Sequence, residues 1–190
     1  MNYNGNCCDP CGSNNNRYCC QGPMGPQGPR GERGMTGPQG PRGIPGPAGS
    51  VLGFADFYAL MPPDNAAAIA PGADVSFPLD GATDGTAITR ISANSFNLAE
   101  AGTYQVQFQV SVTEAGQLML TLNNAELGYT VAGRATGTDQ IVGTAIIVTT
   151  QPNSVLTVRN PAGNAAALTI TPLAGGTRPV SAHLVITQLR

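Results

Sequence analysis

The five cysteines carry the most reactive side chains of the sequence, and all of them lie within the first twenty residues. They form the runs CCDPC and CC and are Cys7, Cys8, Cys11, Cys19 and Cys20. Thiols crowded on one tail form disulfides with neighbouring chains or with a surface layer wherever the environment is oxidising. All except Cys7 could instead hold zinc tetrahedrally, although the adjacent pair Cys19-Cys20 argues against that geometry. We expect cross-linking, with a zinc site as the alternative.

The other candidates for catalysis or metal binding are weaker. His183 is the only histidine and lies between apolar residues, so we expect a packing or surface role for it. Asp74, Asp80 and Asp84 supply oxygen ligands that suit calcium, but Asp-Gly turns explain two of the three. We predict no catalytic residue, no metal and no cofactor.

The charged residues exclude several classes of function. All nine basic residues are arginine, and the formal net charge is −2. Without lysine the chain cannot form a Schiff base or end a phosphate loop with Gly-Lys-Ser/Thr, so the run 133–143 is predicted to be a hairpin connection. The charge balance argues against nucleic-acid binding. We expect no membrane span, no signal peptide and no enzyme activity.

A strict three-residue period is the strongest pattern in the sequence, and it covers residues 22–51. Seven prolines accompany the repeated glycine there. Three polyproline-II chains can share one axis only where each places a residue without a side chain, so the period predicts a collagen-like triple helix about 90 Å long. Its axial glycines are Gly22, Gly25, Gly28, Gly31, Gly34, Gly37, Gly40, Gly43, Gly46 and Gly49.

The rest of the chain, residues 52–190, has the pattern of short strands. In GTYQVQFQVSV (102–112), Tyr104, Val106, Phe108 and Val110 alternate with polar residues, which predicts a strand with one buried face. Turn signals, among them Asp80-Gly81 and Asn123-Asn124, separate this run from similar ones. About ten strands with no helical period predict an all-β antiparallel sandwich, most economically a jelly roll. The predicted strands are 54–60, 75–79, 88–91, 102–112, 117–122, 127–132, 140–149, 154–159, 167–171 and 180–189.

Several runs of the sequence resemble those of bacterial collagen-like exosporium glycoproteins, whose heads are similar to complement and tumour-necrosis-factor-like heads. The resemblance covers roughly residues 22–190 and rests on FADFYALMPPDN, DVSFPLDG, SFNLAEAGTYQVQFQVSVTEAGQLMLTLN, VRNPAGNAAALTITPLAGG and VSAHLVITQL. It implies a ten-stranded head that trimerises and starts the winding of the triple helix. It also implies assembly on the spore surface from the mother-cell cytoplasm.

Together these patterns predict three segments. Residues 1–21 are a disordered anchoring tail, 22–51 the collagen-like segment and 52–190 the trimerising head. We expect a homotrimeric structural filament, tethered through its cysteines to spore-surface or other coat proteins. The alternative is an adhesin or phage-type fibre whose head binds a host receptor or glycan.

Overall fold

A computed structural model describes residues 23–41, 51–61, 63–65 and 68–190 of the chain. These residues belong to two units. Residues 23–41 have no regular hydrogen-bonded secondary structure, and every side chain there is exposed. At each glycine from Gly25 to Gly40, an added Cβ would meet no atom within 4 Å. Gly22, Gly43, Gly46, Gly49 and the five cysteines lie outside the described residues.

The second unit, residues 51–190, is the β head. Its first sheet has five antiparallel strands, and the first and last strands of the head are neighbours in this sheet. In spatial order the strands are β10 (Asp139–Thr149), β6 (Gly102–Val112), β13 (Val180–Gln188), β1 (Gly53–Met61) and β3 (Leu79–Asp84).

The second sheet faces the first across the core and is also antiparallel. Its strands are β4 (Ile88–Ser92), β5 (Ser95–Leu98), β11 (Ser154–Arg159), β7 (Gly116–Leu122) and β8 (Ala125–Glu126), with β9 (Ala132–Arg134) also paired to β7. A separate pair joins β2 (Ala68–Ile69) to β12 (Leu168–Thr169), and a 3-10 turn covers Gly128–Thr130. The predicted all-β antiparallel sandwich is confirmed.

The core lies between the two sheets and is filled by the inward residues of alternating strands. Tyr104, Val106, Phe108 and Val110 are at most 1% exposed, as the alternation in β6 predicts. Burial of one such side chain stabilises the fold by about 1.5–3 kcal/mol. Burial also raises the pKa of the Tyr104 phenol, whose hydroxyl donates to the Glu100 carbonyl at 2.8 Å. The period-2 pattern of β6 therefore sets one wall of the core.

Two predicted strands are wrong in the structure. Residues 75–79 run as an extended segment tied to the second sheet, with the Val75 amide donating to the Val158 carbonyl at 2.8 Å, and β3 starts only at Leu79. Within 127–132, Gly128–Thr130 form the 3-10 turn and β9 begins only at Ala132, because Thr130 Oγ1 donates to the Leu127 carbonyl and accepts from the Leu120 amide. Local side-chain hydrogen bonds override the apolar pattern there.

Two predicted turns are also wrong. Asp80-Gly81 lies inside β3, where Gly81 packs against Asp56 and leaves no room for a Cβ. The run 133–143 is not a hairpin, because β9 pairs with β7 in the second sheet while β10 pairs with β6 in the first. It connects the two sheets instead. The Asn123-Asn124 turn is confirmed, and both residues have the positive φ that such a tight turn requires.

Candidate assembly surface

The outward face of β10 is apolar although it borders solvent. All eleven residues of β10 pair with β6, and β6 is its only paired neighbour among the described strands. Its inward residues fill the core, so the opposite set points outward. Three of those, Val142, Ile146 and Val148, are 51%, 57% and 62% exposed. Other chains commonly bind to edge strands of this length that carry apolar outward side chains.

Tyr129 extends this apolar surface from the 3-10 turn beside β10. Its ring is 69% exposed, and its hydroxyl donates to the Ile146 carbonyl at 3.3 Å. We call the four side chains Tyr129, Val142, Ile146 and Val148 the β10 patch. The hydrogen bond fixes the tyrosine beside the strand, so that its ring adds apolar area to the same surface.

The neighbouring strand supplies neutral polar groups. Gln105, Gln107 and Gln109 alternate along the outward face of β6, and Gln105 and Gln109 lie opposite Ile146 and Val142 of β10. Amide side chains both donate and accept hydrogen bonds. No charged residue occurs among the outward residues of β6 (103, 105, 107, 109 and 111) or of β10 (140, 142, 144, 146 and 148). Natural edge strands are commonly protected from association by charged side chains, and this one has none on its outward face. The apolar side chains of β10 beside the glutamines of β6 therefore have the composition of an interface core with a polar margin.

His183 lies on the same outward face of the first sheet but has local partners. Its Nδ1 is 3.2 Å from Asp56 Oδ1, its Nε2 is 3.0 Å from Ser181 Oγ, and its ring stacks on Tyr58 with centroids 5.9 Å apart. The order Ser–His–Asp is that of an acyl-transfer relay, but such a site also needs donors for an oxyanion. Here β13 is paired on both sides, to β1 and to β6, so the sheet ladder engages the surrounding amides. We therefore interpret the Ser181, His183 and Asp56 contacts as structural contacts between the paired strands β13 and β1.

The three aspartates considered for calcium do not come together. Asp74 accepts from Arg159 Nε at 2.7 Å, and Asp80 accepts from Arg90 Nη2 at 2.6 Å. The Asp74 carboxylate raises the pKa of Arg159, and the hydrogen bond from Arg90 lowers the pKa of Asp80. No group of three or more metal-binding side chains occurs within the described ranges.

Sequence reasoning did not identify the β10 patch or the partners of His183. The run 140–149 was recognisable as a strand, and its valine and isoleucine residues on both faces were the available signal for an outward apolar surface. Ser181 is two residues from His183 and therefore shares its face, but Asp56 is 127 positions away and only the fold brings it close. In the described part of the chain, no helix has the length and apolar character to cross a membrane.

Comparison with known proteins identifies the fold. No protein-family model matches the chain, and no curated protein matches it either. Among solved structures, murine APRIL at pH 5.0 matches with a TM-score of 0.51 and 13% identity, covering 72% of this chain and 99% of that one. The PRD1 vertex protein P5 has a TM-score of 0.48 and 19% identity, with 75% and 100% covered. The zebrafish complement 1qA globular domain has a TM-score of 0.48 and 12% identity, with 72% and 95% covered. The β head therefore has a jelly-roll fold, which it shares with murine APRIL.

Proposed function

We propose that the chain is the subunit of a homotrimeric, collagen-like surface filament with a structural, non-enzymatic role. Three β heads associate through the β10 patch, and this brings three copies of residues 22–51 together at one end. The Gly-X-Y segments then wind into a triple helix, and the N-terminal cysteines tether the trimer. The observation that carries the proposal is an edge strand whose outward residues are largely apolar and include no charge, on a chain that also bears ten glycines at a strict three-residue period.

The Gly-X-Y repeat and the β10 patch each need other chains, and association of the heads supplies both. A triple helix of only ten triplets has limited stability, and its formation from three separate chains carries a large entropic cost. It therefore needs another element to hold the three chains together. An exposed patch of four large apolar side chains likewise needs a partner to cover it. Association of the heads would satisfy both requirements, because the chain enters the head at Gly53 in β1, inside the same sheet that carries β10.

The location that we propose is the surface of a bacterial spore, in the exosporium. The resemblance of residues 22–190 to exosporium collagen-like proteins supports this location, and so does a cysteine-rich N-terminus suited to cross-linking in a coat. Electron microscopy of sporulating cells with an antibody against the β head tests it. We expect label on the outermost spore layer, and label confined to the vegetative cell surface would contradict the location while leaving the trimer intact.

Sedimentation of the full chain under reducing conditions tests the trimer itself, because a reductant removes any contribution of the cysteines. We expect a trimer at micromolar concentration. Ile146→Asp should shift it toward monomer and raise the dissociation constant by about a hundredfold or more, since an unpaired carboxylate would be buried between subunits.

The chain offers a matched control for this substitution. Ile91 lies on β4 of the second sheet and is 57% exposed, the same fraction as Ile146. Ile91→Asp should leave the trimer unchanged. A wild-type chain that sediments as a monomer would refute the proposal, and equal effects of the two substitutions would refute the assignment of the interface to β10.

A further inference from the structure

A second surface of the β head, which shares no residue with the β10 patch, forms a cleft of about 650 Å³. Its walls are the start of β7, strand β9 with Ala135, and residues 164–166. The volume lies within the range of small-molecule sites. None of the residues of the β10 patch lines this cleft, so the two surfaces can be tested separately.

Arg134 is the one charged residue among those that line the cleft. Its Nη1 donates to the Val112 carbonyl at 3.1 Å, and its Nη2 donates to the Thr136 carbonyl. Its Nε is buried and has no partner among the described residues. Two backbone carbonyls therefore hold the guanidinium in place without neutralising its charge.

The other half-buried arginines of the head are different. Arg90 and Arg159 each make a bidentate contact with an aspartate. Within the described part of the chain, no carboxylate forms a salt bridge with Arg134. Since a guanidinium matches a carboxylate in shape and charge, an immobilised arginine without an acidic partner indicates an anionic ligand.

The remaining walls of the cleft are neutral and rich in amide groups. The Gln117 side chain is exposed and makes no hydrogen bond to the described residues. Asn164 Nδ2 donates to Asn160 Oδ1 at 2.7 Å and to the Gln117 carbonyl at 3.4 Å, and its own Oδ1 accepts none from the described residues. The Gln117 amide can therefore donate to and accept from a hydroxyl group, and Asn164 Oδ1 can accept from one.

Two of the residues that line the cleft are glycines in close contact with their neighbours. A Cβ at Gly116 would lie 2.1 Å from Leu168 Cδ2, and one at Gly133 would lie 2.8 Å from Gln117 Cγ. At these two positions the backbone itself forms the wall of the cleft, which the alanines at 165 and 166 continue.

We propose that this cleft binds a carboxylated sugar, with the carboxylate on Arg134 and ring hydroxyls on Gln117 and Asn164. The charge of Arg134 selects the acid, and the amide groups select a hydroxylated ring over a simple carboxylate. The proposal does not depend on the assembly of the heads, since every residue in it belongs to one chain.

Calorimetric titration of the full chain tests the proposal with four probes. These are the methyl glycosides of N-acetylneuraminic acid and of glucuronic acid, methyl glucoside, and acetate. We expect at least one acidic glycoside to bind, and its identity distinguishes a sialic acid from a uronic acid. Methyl glucoside and acetate should each bind about tenfold more weakly or worse, since each lacks one set of hydrogen bonds. Failure of both acidic glycosides, or equal binding of either control probe, would overturn the proposal.

Variants connect the binding to the cleft. Gln117→Glu keeps the size of an exposed side chain and adds a negative charge, so it should weaken binding of the acidic glycoside by about tenfold or more without changing the melting temperature. Arg134→Gln should abolish binding, and Arg178→Gln, which removes the same charge from an exposed loop, should not change it. Unaltered binding in Gln117→Glu would contradict the site even if Arg134→Gln failed to fold.

Discussion

Glycine has opposite environments in the two units of the chain. At Gly143 in β10, an added Cβ would lie 2.3 Å from Phe108 Cζ, so the packing of the head itself requires glycine. At Gly31 in the Gly-X-Y segment, the same atom would meet nothing within 4 Å. Within the described part of the chain, no contact requires glycine at that position, although the sequence repeats it every third residue. We therefore propose that the repeat serves contacts with other chains.

Charged residues show the same contrast. In the head, Arg159 and Asp74 are largely buried, 14% and 16% exposed, and satisfy each other. In the Gly-X-Y segment, Arg30, Glu32 and Arg33 are exposed and form no salt bridge with any residue that the structure describes. The buried ion pair of the head is thus formed within one chain, whereas we propose that the charged residues of the segment find their partners in an assembly.

The largest effect is expected from a head glycine. Gly143→Val would force two methyl groups into the ring of Phe108, which is 1% exposed and cannot move outward. We expect the free energy of unfolding of the head to fall by about 3 kcal/mol, measured by urea denaturation. Gly128→Ala is the control, because an added Cβ there has open space. A comparable loss in the control would show that glycine itself, rather than this contact, is required.

A smaller effect is expected from the buried ion pair. Asp74 accepts from Thr157 Oγ1 at 2.9 Å as well as from Arg159, so Asp74→Asn leaves a guanidinium without its counter-ion. We expect a loss of about 1–3 kcal/mol in the free energy of unfolding. In the Gly-X-Y segment, Glu32→Gln should change the stability of the assembly by less than about 1 kcal/mol, because exposed pairs contribute little. Equal losses of stability in Asp74→Asn and Glu32→Gln would show that the buried pair of the head contributes no more than an exposed charge of the segment.

The smallest effect concerns acid stability. Arg90 lowers the pKa of Asp80 in the folded head, so the pair stabilises the head above the ordinary aspartate pKa of 3.8 and loses this contribution as pH falls through the folded value. Because Asp80 is 54% exposed, the contribution is less than about 1 kcal/mol. Melting temperatures measured at decreasing pH should fall less steeply in Asp80→Asn than in wild type. An identical slope would show that the pair does not contribute.

The sequence predicted the features that depend on local periodicity. Alternation in 102–112 predicted which face of β6 is buried, since the side-chain period of a strand is fixed by backbone geometry. It failed at 127–132, where Thr130 makes a local hydrogen bond that the apolar pattern does not encode, and at Asp80-Gly81, where pairing with β1 keeps the dipeptide in a strand. Propensity yields to tertiary pairing at such positions.

The candidate sites could not be predicted in the same way. Arg134 lies in the cleft because Val112, 22 residues earlier, accepts its hydrogen bond. Asp56 reaches His183 only because β1 and β13 pair along their whole length. The sequence shows the residue types, but it shows no distances between residues that are far apart in the chain. Likewise, the apolar side chains of β10 can be assigned to its outward face only once the fold shows which face of the strand lies in the core.

The central claim is that glycine in the Gly-X-Y segment serves contacts between chains, and the thermal melting of the full chain tests it most directly. Circular dichroism of the wild type should show a cooperative triple-helix transition separate from the unfolding of the head. Gly31→Ala should lower the temperature of that transition or abolish it while leaving the melting of the head unchanged. The matched change Gln27→Ala, at a position whose side chain points away from the axis, should shift it far less. A Gly31→Ala chain that melts as the wild type does would contradict the account.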